Sequence, residues 1–217
     1  MKKIYIFGTG GFAKEVYFLI NEINSVKATF DVCGFIDIDP KIDHLQIGAH
    51  KFEVYDELSF FKNALSENVF FAIGIGNPKI LNSIREKYRS DYNFPNLIHP
   101  SVIGLFETIS MGVGNIITAG CIFTLDIIIG SFNIFNLHST IGHDSVIGSC
   151  NVINPGANLS GGICLGNNNL IGTNSTVLQY IKIGNNNVIG AGAVVNSIIE
   201  NNKVSVGVPA KVIKENH

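Results

Sequence analysis

Residues 141–170 read IGHDSV IGSCNV INPGAN LSGGIC LGNNNL when they are divided into blocks of six, and every block opens with Ile or Leu. The spacing extends in both directions, so that fifteen positions in succession, each six residues after the last, are apolar: Met111, Ile117, Phe123, Ile129, Phe135, Ile141, Ile147, Ile153, Leu159, Leu165, Ile171, Val177, Ile183, Ile189 and Val195. About half of an average chain is apolar, so chance gives such a series roughly once in 30,000 trials. This period decides the fold of half the chain.

Glycine adds a longer period to the same stretch. It recurs every eighteen residues at Gly112, Gly130, Gly148, Gly166 and Gly184. A super-period of three hexads is typical of a parallel β-helix, in which three short strands form one triangular coil. The uninterrupted hexads predict five coils, stacked about 4.8 Å apart, with Gly and Asn at corners where φ is positive.

Residues 1–98 lack the hexad and alternate strand and helix patterns instead. We predict strands at 3–7, 32–36, 69–75 and 94–98, and helices at 13–23, 58–65 and from Pro78 to about Tyr88. This alternation predicts a small Rossmann-like α/β domain with a parallel sheet and covering helices. His99-Pro100-Ser101 marks the junction, because proline ends the preceding pattern. We therefore predict two domains, 1–98 and 99–217, with an irregular first coil at 101–110.

Composition excludes several classes of protein. The net charge of −2 offers no electrostatic footprint for a nucleic acid. The four cysteines have no metal-ligand spacing, and reduced thiols are typical of a cytoplasmic protein. The first residues do not resemble a signal peptide, and no apolar run reaches the length of a membrane span. We expect a cytoplasmic protein with no metal.

The first predicted strand runs into a glycine-rich turn, residues 8–13 (GTGGFA), which opens the first predicted helix. Such a turn presents backbone N–H groups and a positive helix N-terminus to a phosphate. Asp37 ends the next strand, and Gly76 and Asn77 follow the third, so the three turns are expected to converge. The alternatives are NAD, a nucleotide or sugar phosphate, and a purely structural turn. NAD is the weaker ligand, since 98 residues make barely half of a dinucleotide-binding domain.

His143 lies between Gly142 and Asp144, two residues after a core position, and is therefore expected at a corner or on the outer surface. An imidazole there can take a proton from an attacking amine or hydroxyl, and an adjacent carboxylate fixes its tautomer. His138 has no adjacent carboxylate, and no third ligand accompanies the pair to make a metal site. A surface histidine without a role is the alternative for His143.

These residues resemble a known family, the two-domain sugar acetyltransferases of the sialic acid O-acetyltransferase and bacillosamine-pathway N-acetyltransferase (NeuD/PglD-like) type. The likeness covers nearly the whole chain. It rests on six motifs in order, namely residues 6–13 (IFGTGGFA), 34–37 (GFID), 72–77 (AIGIGN), 98–101 (IHPS), 141–144 (IGHD) and 207–211 (GVPAK). The resemblance implies a left-handed β-helix, a homotrimer, acetyl-CoA in the groove between neighbouring helices, and a nucleotide-sugar substrate on the N-terminal domain.

The resemblance also implies roles for individual residues. His143 stands where the family has its general base, and Asp144 where it has an acidic residue that strengthens that base. Substrate contacts are implied for Gly10, Gly11, Phe12, Asp37, Gly76 and Asn77, and acetyl-CoA contacts for Gly161, Thr173 and Ala191.

Two departures from the family stand out. Members often carry a second, cofactor-contacting histidine nine residues after the base, where this chain has Val152; Asn151 and Asn154 are the polar candidates to replace it. Some members have Ser-Gly-His where this chain has residues 10–12 (GGF), so recognition of the sugar is expected to differ.

The implied activity is acetyl transfer from acetyl-CoA to the amine of a nucleotide-linked amino (dideoxy) sugar for a surface glycan such as lipopolysaccharide or capsule. O-acetylation of a sugar hydroxyl, as on a sialic acid, is the close alternative, and a non-catalytic hexapeptide-repeat scaffold is a third. The sugar, its nucleotide and any acyl group other than acetyl stay open.

Overall fold

The computed structural model describes residues 1–62 and 69–216. The chain opens with an α/β domain whose elements are β1 (Lys2–Phe7), α1 (Gly11–Val26), β2 (Phe30–Asp37), β3 (His44–Ile47), β4 (His50–Asp56), α2 (Glu57–Lys62), β5 (Phe70–Ile73) and α3 (Pro78–Tyr88). The sheet has the order β3-β4-β2-β1-β5, and its neighbours are parallel except in the β3–β4 hairpin. The predicted alternation is confirmed. The end of the predicted helix 58–65 lies outside the described residues.

Two features of this domain differ from the prediction. The β3–β4 hairpin was missed, although Leu45 and Ile47, like Phe52 and Val54, alternate with polar residues as in a half-buried strand. The predicted strand 94–98 is reduced to two residues, and these pair with a strand of the β-helix rather than with the N-terminal sheet. The β-helix therefore begins at Leu97, just before the junction.

The second part of the chain is a three-sided parallel β-helix, here called the prism. Its strands are β6 (Leu97–Ile98), β7 (Ile103–Gly104), β8 (Ile109–Met111), β9 (Ile116–Ile117), β10 (Ile122–Phe123), β11 (Ile127–Ile129), β12 (Ile134–Phe135), β13 (Thr140–Ile141), β14 (Val146–Ile147), β15 (Val152–Ile153), β16 (Asn158–Leu159), β17 (Cys164–Leu165), β18 (Leu170–Ile171), β19 (Thr176–Val177), β20 (Lys182–Ile183), β21 (Val188–Ile189), β22 (Val194–Val195), β23 (Lys203–Val206) and β24 (Lys211–Glu215). A 3-10 turn at Phe106–Thr108 interrupts the first coil, which is irregular as predicted.

The prism strands form three sheets. Sheet I has the order β24-β23-β21-β18-β15-β12-β9-β6, sheet II the order β22-β19-β16-β13-β10-β7, and sheet III the order β20-β17-β14-β11-β8. Within the strands from β8 to β22, paired residues are eighteen apart, as in Ile141 with Leu159, so the predicted super-period is one complete coil. From Ile117 to Val195, every residue of the hexad series is at most 3% exposed and packs inside the prism. The hexad thus marks the core position.

The residue types at the corners of the prism are more varied than predicted. Gly and Asn do occupy corners with positive φ, but so do Phe132, Cys150 and Tyr180, with φ near 59°. Many of the asparagines have another role. Asn133, for example, accepts the backbone N–H of Asn151 on its Oδ1 at 2.9 Å, and this pattern repeats from coil to coil inside the edge between sheets III and I.

The N-terminal domain packs on sheet I. Ile116, Ile134 and Val152 point outward from that sheet and are buried in the apolar cluster of the N-terminal domain. At the edge between sheets III and I, Phe94 meets Phe132 with ring centroids 5.0 Å apart. No strand residue of sheet II or sheet III that the structure describes belongs to this apolar cluster. Among the described residues, no helix combines the length and the apolar character needed to cross a membrane.

Candidate functional site

His143 and Asp144 lie at the edge between sheets II and III, in the turn from β13 to β14. His143 Nδ1 is 2.7 Å from Asp144 Oδ2, and both side chains are exposed to solvent. A carboxylate only accepts hydrogen bonds, so the proton of the neutral ring resides on Nδ1. The free lone pair of the imidazole is then on Nε2, which can accept a proton from a ligand.

Gly161 lies one coil below His143, directly against its ring. A Cβ placed on Gly161 would be 2.5 Å from His143 Nε2 and 2.7 Å from Cε1, so only glycine leaves room for the imidazole in this position. Gly161 is buried, and its N–H donates to no acceptor among the described residues. The predicted base and a free backbone donor are therefore adjacent.

Five of the six predicted substrate residues share one cavity in the N-terminal domain. Gly10, Gly11, Phe12, Asp37 and Gly76 line a volume of about 330 Å³, together with Gly8, Thr9, Gly74 and Ile75. The cavity lies at the carboxyl ends of β1, β2 and β5, where open α/β sheets bind ligands. Helix α1 begins there, and its cap Gly10 supplies no side-chain acceptor, so the first-turn N–H groups are free for an anion.

Thr9 is a cavity residue that the sequence analysis did not single out. Its hydroxyl donates to Asp37 Oδ2 at 2.6 Å, while the backbone N–H of Asp39 approaches Oδ1 at 3.3 Å. The Asp37 carboxylate is therefore held in one orientation at the cavity wall. The signal that could have identified this contact is a hydroxyl residue inside a glycine-rich turn.

Asn77 does not line this cavity. Its Oδ1 caps helix α3 by accepting the N–H groups of Lys79 at 2.9 Å and Ile80 at 3.4 Å. Asn77 instead borders a separate cleft of about 250 Å³ between α3 and the lower part of sheet I. The side-chain oxygen of Asn77 is thus engaged within the chain, and a substrate contact by Asn77 stays a prediction.

The predicted acetyl-CoA contacts lie on two edges of the prism. Gly161 is at the edge between sheets II and III, whereas Thr173 and Ala191 are at the edge between sheets I and II. Val152, the position of the second family histidine, is 1% exposed and packs against the N-terminal domain. Asn151 is fully buried in the asparagine ladder and cannot replace that histidine. Of the two predicted replacements only Asn154 is partly exposed.

His138, the alternative histidine, lies at the edge between sheets I and II. Its ring rests against Gly120, and it has no hydrogen bond to a carboxylate among the described residues. Within residues 1–62 and 69–216, no three His, Cys, Asp or Glu side chains are grouped so as to hold a metal ion.

The cavity and His143 lie on opposite sides of one chain. Residues of the N-terminal domain alone line the cavity, and this domain packs on sheet I. The edge between sheets II and III is the one that faces away from sheet I. With at most six residues per side, the prism is roughly 15 Å across. In a single chain, a ligand in the cavity and the imidazole of His143 are thus separated by the thickness of the prism.

Both parts of the chain match known families. Residues 3–88 match the PglD N-terminal domain, and residues 164–197 match the bacterial transferase hexapeptide (six repeats). No curated protein sequence matches the chain.

Solved structures resemble the chain over its full length. Perosamine N-acetyltransferase from Caulobacter crescentus, solved with CoA and GDP-perosamine, is 26% identical with a TM-score of 0.84 and covers 99% of this chain and 98% of its own. The acetyltransferase domain of PglB from Neisseria gonorrhoeae is 25% identical with a TM-score of 0.86, over 98% of this chain and 100% of its own. WeeI from Acinetobacter baumannii, at 24% identity and a TM-score of 0.83, shares the fold over 98% of this chain and 100% of its own. The predicted fold, an α/β domain followed by a left-handed β-helix of hexapeptide repeats, is confirmed.

Proposed function

We propose that this chain, which belongs to the NeuD/PglD-like sugar acetyltransferases, transfers the acetyl group of acetyl-CoA to the amine of a nucleotide-linked amino sugar. Its class is that of an acetyltransferase with acetyl-CoA as co-substrate. The amine acceptor, a cytoplasmic location and a place in surface glycan synthesis are our proposals. The observation that supports acetyl transfer is the His143 ring, which is held by Asp144 and lies against Gly161.

His143 acts as the general base in this proposal. The amine of the sugar must be neutral when it attacks the thioester carbonyl, and it must lose a proton as the new C–N bond forms. With Nδ1–H directed at Asp144, His143 Nε2 is the atom that accepts this proton. Asp144 keeps the ring in that tautomer and stabilises the imidazolium that results.

Gly161 stabilises the negative charge on the carbonyl oxygen of the tetrahedral intermediate. Its N–H has no acceptor among the described residues and lies beside the ring that receives the proton. When the C–S bond breaks, the CoA thiolate leaves and takes a proton, which the His143 imidazolium can return. The net reaction forms the amide and releases CoA.

The cavity of the N-terminal domain is proposed to hold the nucleotide part of the sugar substrate. Its glycine-rich turn and the start of α1 offer backbone N–H groups to a diphosphate. The Asp37 carboxylate accepts hydrogen bonds from the ribose or the base. The Caulobacter relative was solved with GDP-perosamine, a nucleotide-linked amino sugar, which supports this class of acceptor.

We further propose that two copies of the chain build each active site within a homotrimer. One chain holds the cavity and His143 on opposite sides of its prism, so the sugar amine in the cavity of one copy is expected to meet His143 of the next. Gly161 from one copy and Thr173 with Ala191 from its neighbour then border the same groove. Sedimentation at micromolar concentration should show a trimer, and a fully active monomer would disprove the shared site.

The test of function is consumption of acetyl-CoA with a panel of amino sugars, both free and linked to UDP, dTDP or GDP. We expect turnover only with nucleotide-linked amines. Matched sugars with a hydroxyl in place of the amine test the alternative of O-acetylation, and turnover of these alone would favour it. If acetyl-CoA is neither bound nor consumed, the chain is a non-catalytic scaffold and the proposal is wrong.

A further inference from the structure

Tyr180 occupies a corner position that its side chain does not favour. It lies at the edge between sheets II and III with φ of 59°, a conformation that Gly, Asn and Asp adopt most readily. The other corners of this edge with positive φ hold Asp126, Asp144 and Gly162. Tyr180 is 70% exposed, so burial in this chain does not account for an aromatic residue there.

The ring of Tyr180 lies against Gly162, one coil above it on the same edge. A Cβ on Gly162 would overlap the ring, at 2.5 Å from its Cε1, so the ring folds back against the coil above. Backbone hydrogen bonds join this coil to the coils above and below it. The Gly162 N–H donates to the carbonyl of His143 at 2.7 Å, and the Tyr180 N–H donates to the carbonyl of Gly161 at 3.1 Å. Asp144, Gly162 and Tyr180 therefore stand in one column of this edge, beside the column that holds His143 and Gly161.

The charges along this edge indicate the direction in which the CoA part of bound acetyl-CoA extends from the reacting carbonyl. Above Gly161 the edge carries the carboxylates of Asp126 and Asp144, which repel the phosphates of CoA. Below it lie the ring of Tyr180 and, on the adjoining strand β20, the exposed Lys182, whose charge is balanced by the neighbouring Glu200. The pantetheine arm of CoA carries the phosphates at its far end. We therefore expect it to run from Gly161 toward the later coils of the prism, past Tyr180.

We propose that the ring of Tyr180 is a binding wall for the pantetheine arm of acetyl-CoA, two coils below the base on the same edge. This inference rests on the proposed function and adds a binding residue to it. The arm is a flexible chain of amide and methyl groups, and an aromatic face both buries its apolar part and limits its positions. A corner with strained backbone persists where the side chain serves a ligand.

Direct contact is tested with a fluorescent residue. The chain contains no tryptophan, so Tyr180→Trp introduces a single reporter at the proposed wall. Acetyl-CoA should change the emission of this tryptophan in a saturable way, whereas a nucleoside diphosphate should not. If the emission is unchanged at acetyl-CoA concentrations that saturate turnover of the same variant, the inference is wrong.

Kinetics separate this role from a structural one. Tyr180→Asn keeps a residue suited to the corner and removes the ring, and should raise the KM for acetyl-CoA about tenfold. The KM for the sugar and kcat should change little, and Tyr180→Phe should restore the wild-type KM. Asn186→Gly, at a corner of similar φ on another edge, is the matched control and should change nothing.

An unchanged KM for acetyl-CoA in Tyr180→Asn, together with a loss of the trimer, would mean that the ring packs on a neighbouring copy and would overturn the inference. Failure of the proposed function has a different signature, because the wild-type chain itself would then neither bind nor consume acetyl-CoA.

Discussion

Replacement of Gly161 by alanine tests the geometry of the base without removing any functional group. The backbone of Gly161 does not require glycine, since its φ is not positive. The added methyl carbon would lie 2.5 Å from His143 Nε2 and 2.9 Å from Cδ2, whereas ordinary contact begins at 3.4 Å. The imidazole must therefore retreat by about 0.9 Å from Gly161, and Nε2 moves away from the reacting amine.

A displacement of this size has a large expected effect on rate. Misplacing a catalytic group by about 1 Å can lower the rate roughly 100-fold. We expect Gly161→Ala to lower kcat by about this factor while the fold and the thermal transition remain close to wild type, because the His143 side chain is exposed and can move into solvent. Steady-state kinetics with saturating acetyl-CoA and sugar, alongside thermal melting, make the measurement.

A double-mutant cycle isolates the cause. If the methyl group acts only by displacing His143, adding Gly161→Ala to His143→Ala should have little further effect on kcat. Full additivity of the two losses would refute this reasoning and would assign Gly161 a separate role. An unchanged kcat in Gly161→Ala would show that the observed position of the ring is unimportant for catalysis.

Three other outcomes are expected. His143→Ala should lower kcat by about 10²–10⁴, and His138→Ala, a histidine on another edge, should not; the reverse order would mean that the wrong histidine is assigned. Asp37→Ala should raise the KM of the sugar nucleotide and leave that of acetyl-CoA nearly unchanged, and an equal rise in both would disprove separate binding sites. Burial raises the pKa of the Cys121 and Cys150 thiols, so their reactive thiolates form only at high pH. Alkylation at pH 7.5 should therefore leave both cysteines unmodified until the protein unfolds. Rapid labelling of either cysteine in the native state would contradict the observed packing.

Much of the prism could be predicted because its structure follows from a six-residue spacing along the sequence. One inward side chain per hexad produces a period that any copy of the repeat must show, and each of these residues from Ile117 to Val195 is indeed buried. The hairpin of β3 and β4 was harder to predict because its strands are short and half-exposed. The strand at Leu97–Ile98 was misassigned, because the sequence does not reveal which sheet a two-residue strand will join.

The candidate site was predictable in part. The glycine-rich turn and Asp37 do line one cavity, because the carboxyl ends of parallel strands meet at a single edge. Asn77 shows the opposite case, since its oxygen caps a helix that begins with Pro78. Its position next to the turn suggested a ligand contact, and only the direction of its side chain reveals the cap. The roles of individual site residues stay predictions.

The repeat, the order of the domains and the His143-Asp144 pair can be found from the amino-acid sequence, because they depend on spacing along the chain. The contact of the imidazole with Gly161 and the orientation of Asp37 by Thr9 required the folded structure, since these contacts join residues 18 and 28 positions apart. The folded structure also determines which face of the prism, sheet I, packs against the N-terminal domain. That packing depends on the apolar surface of a whole sheet, and it places His143 on the side away from its own cavity.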